Sequence, residues 1–166
     1  MPVPMPYDRE AAVAYAHQWA YGRNPVYLDF SPMGGDCTNF ASQCIFAGSG
    51  VMNYKPLYGW FYRTGNHRTP SWTGVDQLYN FLTSNKGPGP FGAESTIRQM
   101  MPGDVVQLAI GSDVPYHHSP VIVRIDGEPT LGSIYIAAHS FDCDTRPLSS
   151  YAIWKIRYIH IEGVRK

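Results

Sequence analysis

The spacing of apolar residues changes character near residue 102. Before that point Ala12, Tyr15, Ala16 and Trp19 recur at three- and four-residue intervals, which places them on one face of an α-helix. Asp8 stands where such a helix needs an N-cap acceptor, so a helix is expected from Asp8 to about Tyr21. A second is expected from about Cys37 to Ala47, with Phe40, Cys44 and Ala47 on one face and Gly48 ending it. Val75, Leu78, Tyr79 and Leu82 mark a third over Gly74–Leu82. Gly22–Gly35, with Pro25, Pro32 and a glycine pair, reads as irregular, and Lys86–Pro90 as a loop. Tyr54–Trp72 is aromatic but poorly periodic, and reads as a long loop over the surface.

After the turn Pro102-Gly103-Asp104 the pattern becomes extended. Val105–Ile110, Pro120–Ile125, Ile134–Ala138 and Tyr151–Ile161 read as four strands, with Asp126-Gly127 closing the second. Helices followed by an antiparallel meander predict an α+β fold in one domain spanning residues 1–166, its core about 7–162.

Composition narrows the function classes. The chain has 166 residues, of which 44% are hydrophobic and 16% charged, so it has the makings of a folded core. Thirteen basic residues balance thirteen acidic ones. That gives no electrostatic footprint for nucleic acid or an anionic membrane, and neither is expected as a partner. No apolar run reaches the ~20 residues of a membrane-spanning helix. Met1–Pro6 lacks a basic n-region and an apolar h-region, so no signal peptide is expected. The chain is read as cytoplasmic or as a domain of a longer secreted or cell-wall protein.

Three cysteines, Cys37, Cys44 and Cys143, cannot all pair with one another, and none forms a CxxC. Cys37 is the one with chemistry around it. In Gly34-Gly35-Asp36-Cys37-Thr38-Asn39 a glycine turn delivers the thiol to a helix N-terminus. There, unpaired N–H groups and the positive end of the helix dipole favour thiolate. The same N–H groups suit an oxyanion, with Asp36 as a supporting residue. Cys44, on the apolar face of the same helix, reads as core. A thiolate needs a base, and His117-His118 precedes an extended run; only one of the two can face Cys37. His17, His67 and His160 read as structural or solvated. His139 closes the next strand, near-opposite His118 if a hairpin turns around Gly127–Gly132, and would orient its imidazole. Asp142 is the alternative for that role.

These segments carry a resemblance. GGDCTNFASQC (Gly34–Cys44), WTGVDQLYNFL (Trp72–Leu82), PGDVVQL (Pro102–Leu108), HSPVIV (His118–Val123), AAHSFD (Ala137–Asp142) and RPLSSY (Arg146–Tyr151) occur in that order. The chain resembles bacterial amidase domains, an amidase-like group within the NlpC/P60, CHAP and papain-like cysteine hydrolase superfamily. The resemblance implies a papain-like fold, Cys37 as nucleophile, His118 rather than His117 as base, and His139 as orienting residue. It also implies a peptide or peptidoglycan-type amide as substrate. The mechanism read from Cys37 and His118 is acyl transfer through a thioester, for which no metal or organic cofactor is needed. The aromatic residues Tyr58, Trp60, Phe61, Tyr62 and Trp72 are candidates to line the cleft or to pack. Two other functions fit the same residues: an acyltransferase using the same Cys-His pair, and a non-catalytic wall- or glycan-binding module.

Overall fold

The computed structural model describes residues 2–166. It comprises four α-helices and a curled antiparallel sheet. The chain begins with β1 (Pro4–Met5) and then α1 (Arg9–Trp19). Asp8 caps α1, its carboxylate accepting the Ala11 N–H at 3.0 Å. Next comes α2 (Cys37–Ser49), which runs past the expected stop at Gly48 and ends at Gly50, a left-handed residue with φ 66° whose N–H donates to the Phe46 carbonyl. Gly48 serves packing instead. A Cβ there would lie 2.5 Å from Tyr7 Cε1 and 2.6 Å from the Asp8 carbonyl, so its absence lets α2 lie against the entry to α1.

The segment expected to be a surface loop is core. It folds into a hairpin, β2 (Tyr62–Thr64) with β3 (His67–Arg68), and a short helix, α3 (Pro70–Thr73). Trp60 and Trp72 are fully buried, and Phe61 and Tyr62 nearly so. The rings are too large, and too many, to remain in water beside the apolar face of α2. Tyr58 alone of the aromatic candidates is exposed. Then follow α4 (Val75–Ser84) and β4 (Gly89–Ser95), the latter not foreseen because two glycines and a proline weaken its strand signal.

The meander matches expectation in β5 (Val105–Ile110), β6 (Val121–Ile125) and β7 (Ile134–Ala138), and adds β8 (Cys143–Pro147). The last strand, β9 (Ile153–Arg165), is the spine of the seven-stranded sheet. One of its edges pairs with β5 and, further along, β1; the other pairs with β4. From β9 the order runs β5, β6, β7, β8. Both faces are covered. Val105, Val121, Ala137 and Ile159 pack under the helices, while Val106, Leu108, Ile122 and Ile136 form a second core on the opposite face with Met100 and Leu148. Double coverage explains why Val105-Val106 and Val121-Ile122-Val123 are apolar runs rather than alternations.

Gly48→Ala tests the α1–α2 contact. Helix propensity alone predicts a gain of about 1 kcal/mol. The clash with the Asp8 backbone, itself fixed by its N–H bond to the Gly48 carbonyl at 2.8 Å, outweighs it. A net loss of about 1–2 kcal/mol is expected in urea unfolding, and a raised midpoint would refute the contact.

Candidate active site

The turn before α2 is built on glycine. Gly34 and Gly35 have φ of 101° and 125°, where side chains are rarely tolerated. Asp36 follows, fully buried. Its Oδ1 accepts the Phe30 N–H at 2.8 Å and the Asn39 side-chain amide at 2.9 Å. Its Oδ2 faces His139 Nδ1 at 2.5 Å and lies 3.6 Å from Arg23 Nε. Asp36 therefore makes no side-chain cap to α2, although its residue type and place suit that job. The first-turn N–H groups are left without a carboxylate.

Cys37 opens α2 at 7% exposure. Its Sγ donates to the His117 carbonyl at 3.6 Å, and the Thr38 hydroxyl lies 3.8 Å away. The N–H of Ser119 also lies close enough to favour its thiolate. The sulfur thus touches backbone on both sides of His118, with no hydrogen bond to its ring. Thr38 Oγ1 and Ser119 Oγ hydrogen-bond at 3.0 Å, and Gln107 donates to that serine at 3.2 Å. This fastens the first turn of α2 to β5 and to the residues entering β6. On the far side of α2, Trp72 donates to Asn39 and Trp60 to Ser42.

His118 is buried, and its Nε2 pairs with the Tyr151 hydroxyl at 3.2 Å. Main-chain bonds to Leu108 hold its backbone against β5. His117 is solvent-exposed, its Nδ1 near the Pro115 carbonyl.

His139 lies within one residue of the expected register, but its side chain faces away from His118. Extending the Val121↔Ala137 register by two residues puts Ser119 opposite His139; His118 is one residue out of step and so on the other face. The His139 ring stacks on Phe40 at 4.1 Å, and besides Asp36 it meets the Trp19 carbonyl at 2.8 Å and Arg23 Nη1 at 3.1 Å. It braces the turn before Cys37 and makes no hydrogen bond to His118. Both oxygens of Asp142 accept from Arg23, at 2.9 and 3.1 Å. His17 and His160 pair with Asp144 and Asp104.

Two residues in contact with these groups, Arg23 and Tyr151, were not among the candidates, although Tyr151 closes the RPLSSY segment. Arg23 lies in an irregular stretch, and Tyr151 meets His118 only because β5, β6 and the segment before β9 converge.

Burial dominates the electrostatics. It pushes the Cys37 thiol above its ordinary value, with the Asp36 carboxylate adding to the rise; the Thr38 hydroxyl and the N–H groups of Ser119 and Thr38 oppose it without prevailing. Desolvation is the largest of these influences and acts against the thiolate. Burial, then the charges of His117 and Arg146, push His118 down to about 4. Both shifts favour the neutral forms, thiol at Cys37 and imidazole at His118. A hollow of about 460 Å³ against Arg9, Val13, His17 and Pro102 includes neither group.

The depressed His118 value makes stability depend on pH. The unfolded chain takes up a proton near pH 6.5 and the folded protein only near 4. Stability from this group is therefore complete above 6.5 and is lost as pH falls through 4, on the order of 3 kcal/mol in all. Urea unfolding at pH 7, 5 and 4 should show this loss in the wild type and a shallower one in His118→Gln; equal slopes would contradict it. Separately, His139→Ala leaves a buried carboxylate without its main partner and should cost about 3 kcal/mol by the same method.

Residues 33% identical over 122 positions align with an uncharacterized protein of Bacillus subtilis (strain 168), YhbB, covering 72% of this chain. The chain spans 38% of that relative's length. No solved structure matches the chain. The family described as "Putative amidase domain" matches residues 6–162. By that match the chain belongs to this amidase-domain family, whose name ties it to amide hydrolysis.

Proposed function

We propose that this protein is a cysteine-dependent amide hydrolase acting on a peptide or peptidoglycan-type amide, with Cys37 as nucleophile and His118 as general base. The observation that carries the reading is the seat of the Cys37 sulfur: the first residue of a helix, against the backbone on both sides of a buried histidine. Membership of an amidase-domain family supports amide hydrolysis. A helix packed by its N-terminus on an antiparallel sheet supports a papain-like assignment of the fold.

The chemistry follows from the resting charges. Because both groups start neutral, the proton leaves sulfur as it attacks. The S–C bond forms, the carbonyl electron pair moves to oxygen, and the thiol proton passes to His118. First-turn N–H groups of α2, which Asp36 does not cap, stabilise the oxyanion. His118 then gives its proton to the leaving nitrogen as the C–N bond breaks, leaving a thioester. Water, deprotonated by His118, cleaves the thioester and restores the thiol. Asp36 and His139 act by holding the turn.

Iodoacetamide labelling of each cysteine against pH, read by peptide mass spectrometry, tests the pair. Cys37 should label at least roughly tenfold faster than the fully buried Cys44, and lose most of that advantage in His118→Ala. Its rate should climb with pH from neutral into the alkaline range, with no plateau at acid pH. Muropeptide and peptide substrates should be cleaved with a Cys37 acyl-enzyme trapped by acid quench, and cleavage should fall roughly 10³-fold in Cys37→Ala. Labelling no faster than Cys44, or cleavage that survives Cys37→Ala, would overturn the reading; the former would favour a non-catalytic binding module.

A further inference from the structure

We infer that Tyr151 is the third member of the site, a positioning residue that binds Nε2 of His118 through its hydroxyl and leaves Nδ1 as the nitrogen that takes the proton from Cys37. This rests on the reading of Cys37 and His118 as a catalytic pair. A cysteine–histidine pair needs a group on the far ring nitrogen to fix the imidazole's plane and tautomer. His139 and Asp142, the two candidates from the sequence, are occupied by Asp36, Trp19 and Arg23. The far nitrogen instead meets Tyr151 at 3.2 Å, with the two rings edge-to-face at 5.4 Å. Among the described residues, Nδ1 has no hydrogen-bond partner, while the Cys37 sulfur touches backbone on both sides of His118.

Tyr151 is itself braced. Its N–H bonds to the carbonyl of Leu148, a fully buried residue, at 3.3 Å. The Arg146 guanidinium lies 3.7 Å over its ring, and Cys143 Sγ lies 3.7 Å from its hydroxyl. That sulfur gives the phenolic proton an acceptor, so the phenolic oxygen is free to accept the Nε2 proton. Burial, then Cys143, hold the phenol well above its ordinary value, so it stays neutral. A neutral partner fixes the ring without adding negative charge, and the low value of His118 is consistent with that: a carboxylate in the same place would raise it. When His118 takes the Cys37 proton at Nδ1, its Nε2 proton remains where it was, donated to Tyr151. No proton travels further.

Tyr151→Phe keeps the ring against His118 and Arg146 and removes only the hydroxyl. Nitrogen-15 shifts of the His118 imidazole in the full chain report the tautomer directly. The wild type should show Nε2 protonated and Nδ1 bare, and the variant a mixture of tautomers. The iodoacetamide rate at Cys37 should fall about tenfold to a hundredfold in the variant. A purely structural tyrosine would move unfolding midpoints without moving the tautomer. A wild-type ring protonated on Nδ1 overturns the inference, even if the variant fails to fold; so does a folded variant with unchanged tautomer and rate. Failure of the underlying reading looks different: Cys37 reactivity indifferent to His118→Ala, whatever the tautomer.

Discussion

The buried carboxylate of Asp36 is the constraint around which the rest of this protein is arranged. One oxygen ties down the loop at Phe30 and the first turn of α2 through Asn39; the other ties the end of β7 through His139. Through Arg23 and the Trp19 carbonyl the same cluster reaches the end of α1. A charge in this position is expensive unless every acceptor site is filled, and here the filling groups come from four parts of the chain. The arrangement defines where α2 begins, and hence where the Cys37 sulfur rests. It also diverts a natural capping residue from its own helix, leaving N–H groups in the first turn for another use.

The second organising fact is the burial of Cys37 and His118. Burial raises the thiol and lowers the imidazole, two shifts that disfavour a pre-formed ion pair. On the proposed reading, the nucleophile is generated in the act of attack rather than held as a waiting thiolate. The resting sulfur is correspondingly shielded, with its hydrogen on a main-chain carbonyl.

Much of this could be read from the sequence, and the misses have physical causes. The glycine turn, the capped helix from Asp8 and the central strands are local features, written in residue type and period, and they stand where expected. Cys37 and His118 were brought together within the reach of the backbone. His139 meets Asp36 and not His118 because strand alternation is unforgiving: one residue of register moves a side chain to the opposite face, and no pattern of apolar residues says which of two polar neighbours faces which way. The aromatic stretch was misplaced because periodicity identifies regular elements, whereas Trp60 and Trp72 are buried by a hairpin and a single helical turn. Tyr151 and Arg23 act only through long-range contacts, about which spacing is silent.

The two indoles behind α2 have a use of their own. Trp60 and Trp72 lie with ring centroids 4.6 Å apart and planes at 35°, each hydrogen-bonded to a side chain of the helix that Cys37 begins. Chromophores so close share their excited states, and their combined circular dichroism depends on mutual orientation. Because Asn39 and Ser42 fix that orientation, any shift of the helix against its backing changes the optical signal. The protein thus carries an intrinsic, label-free gauge of whether the element that presents its thiol has moved.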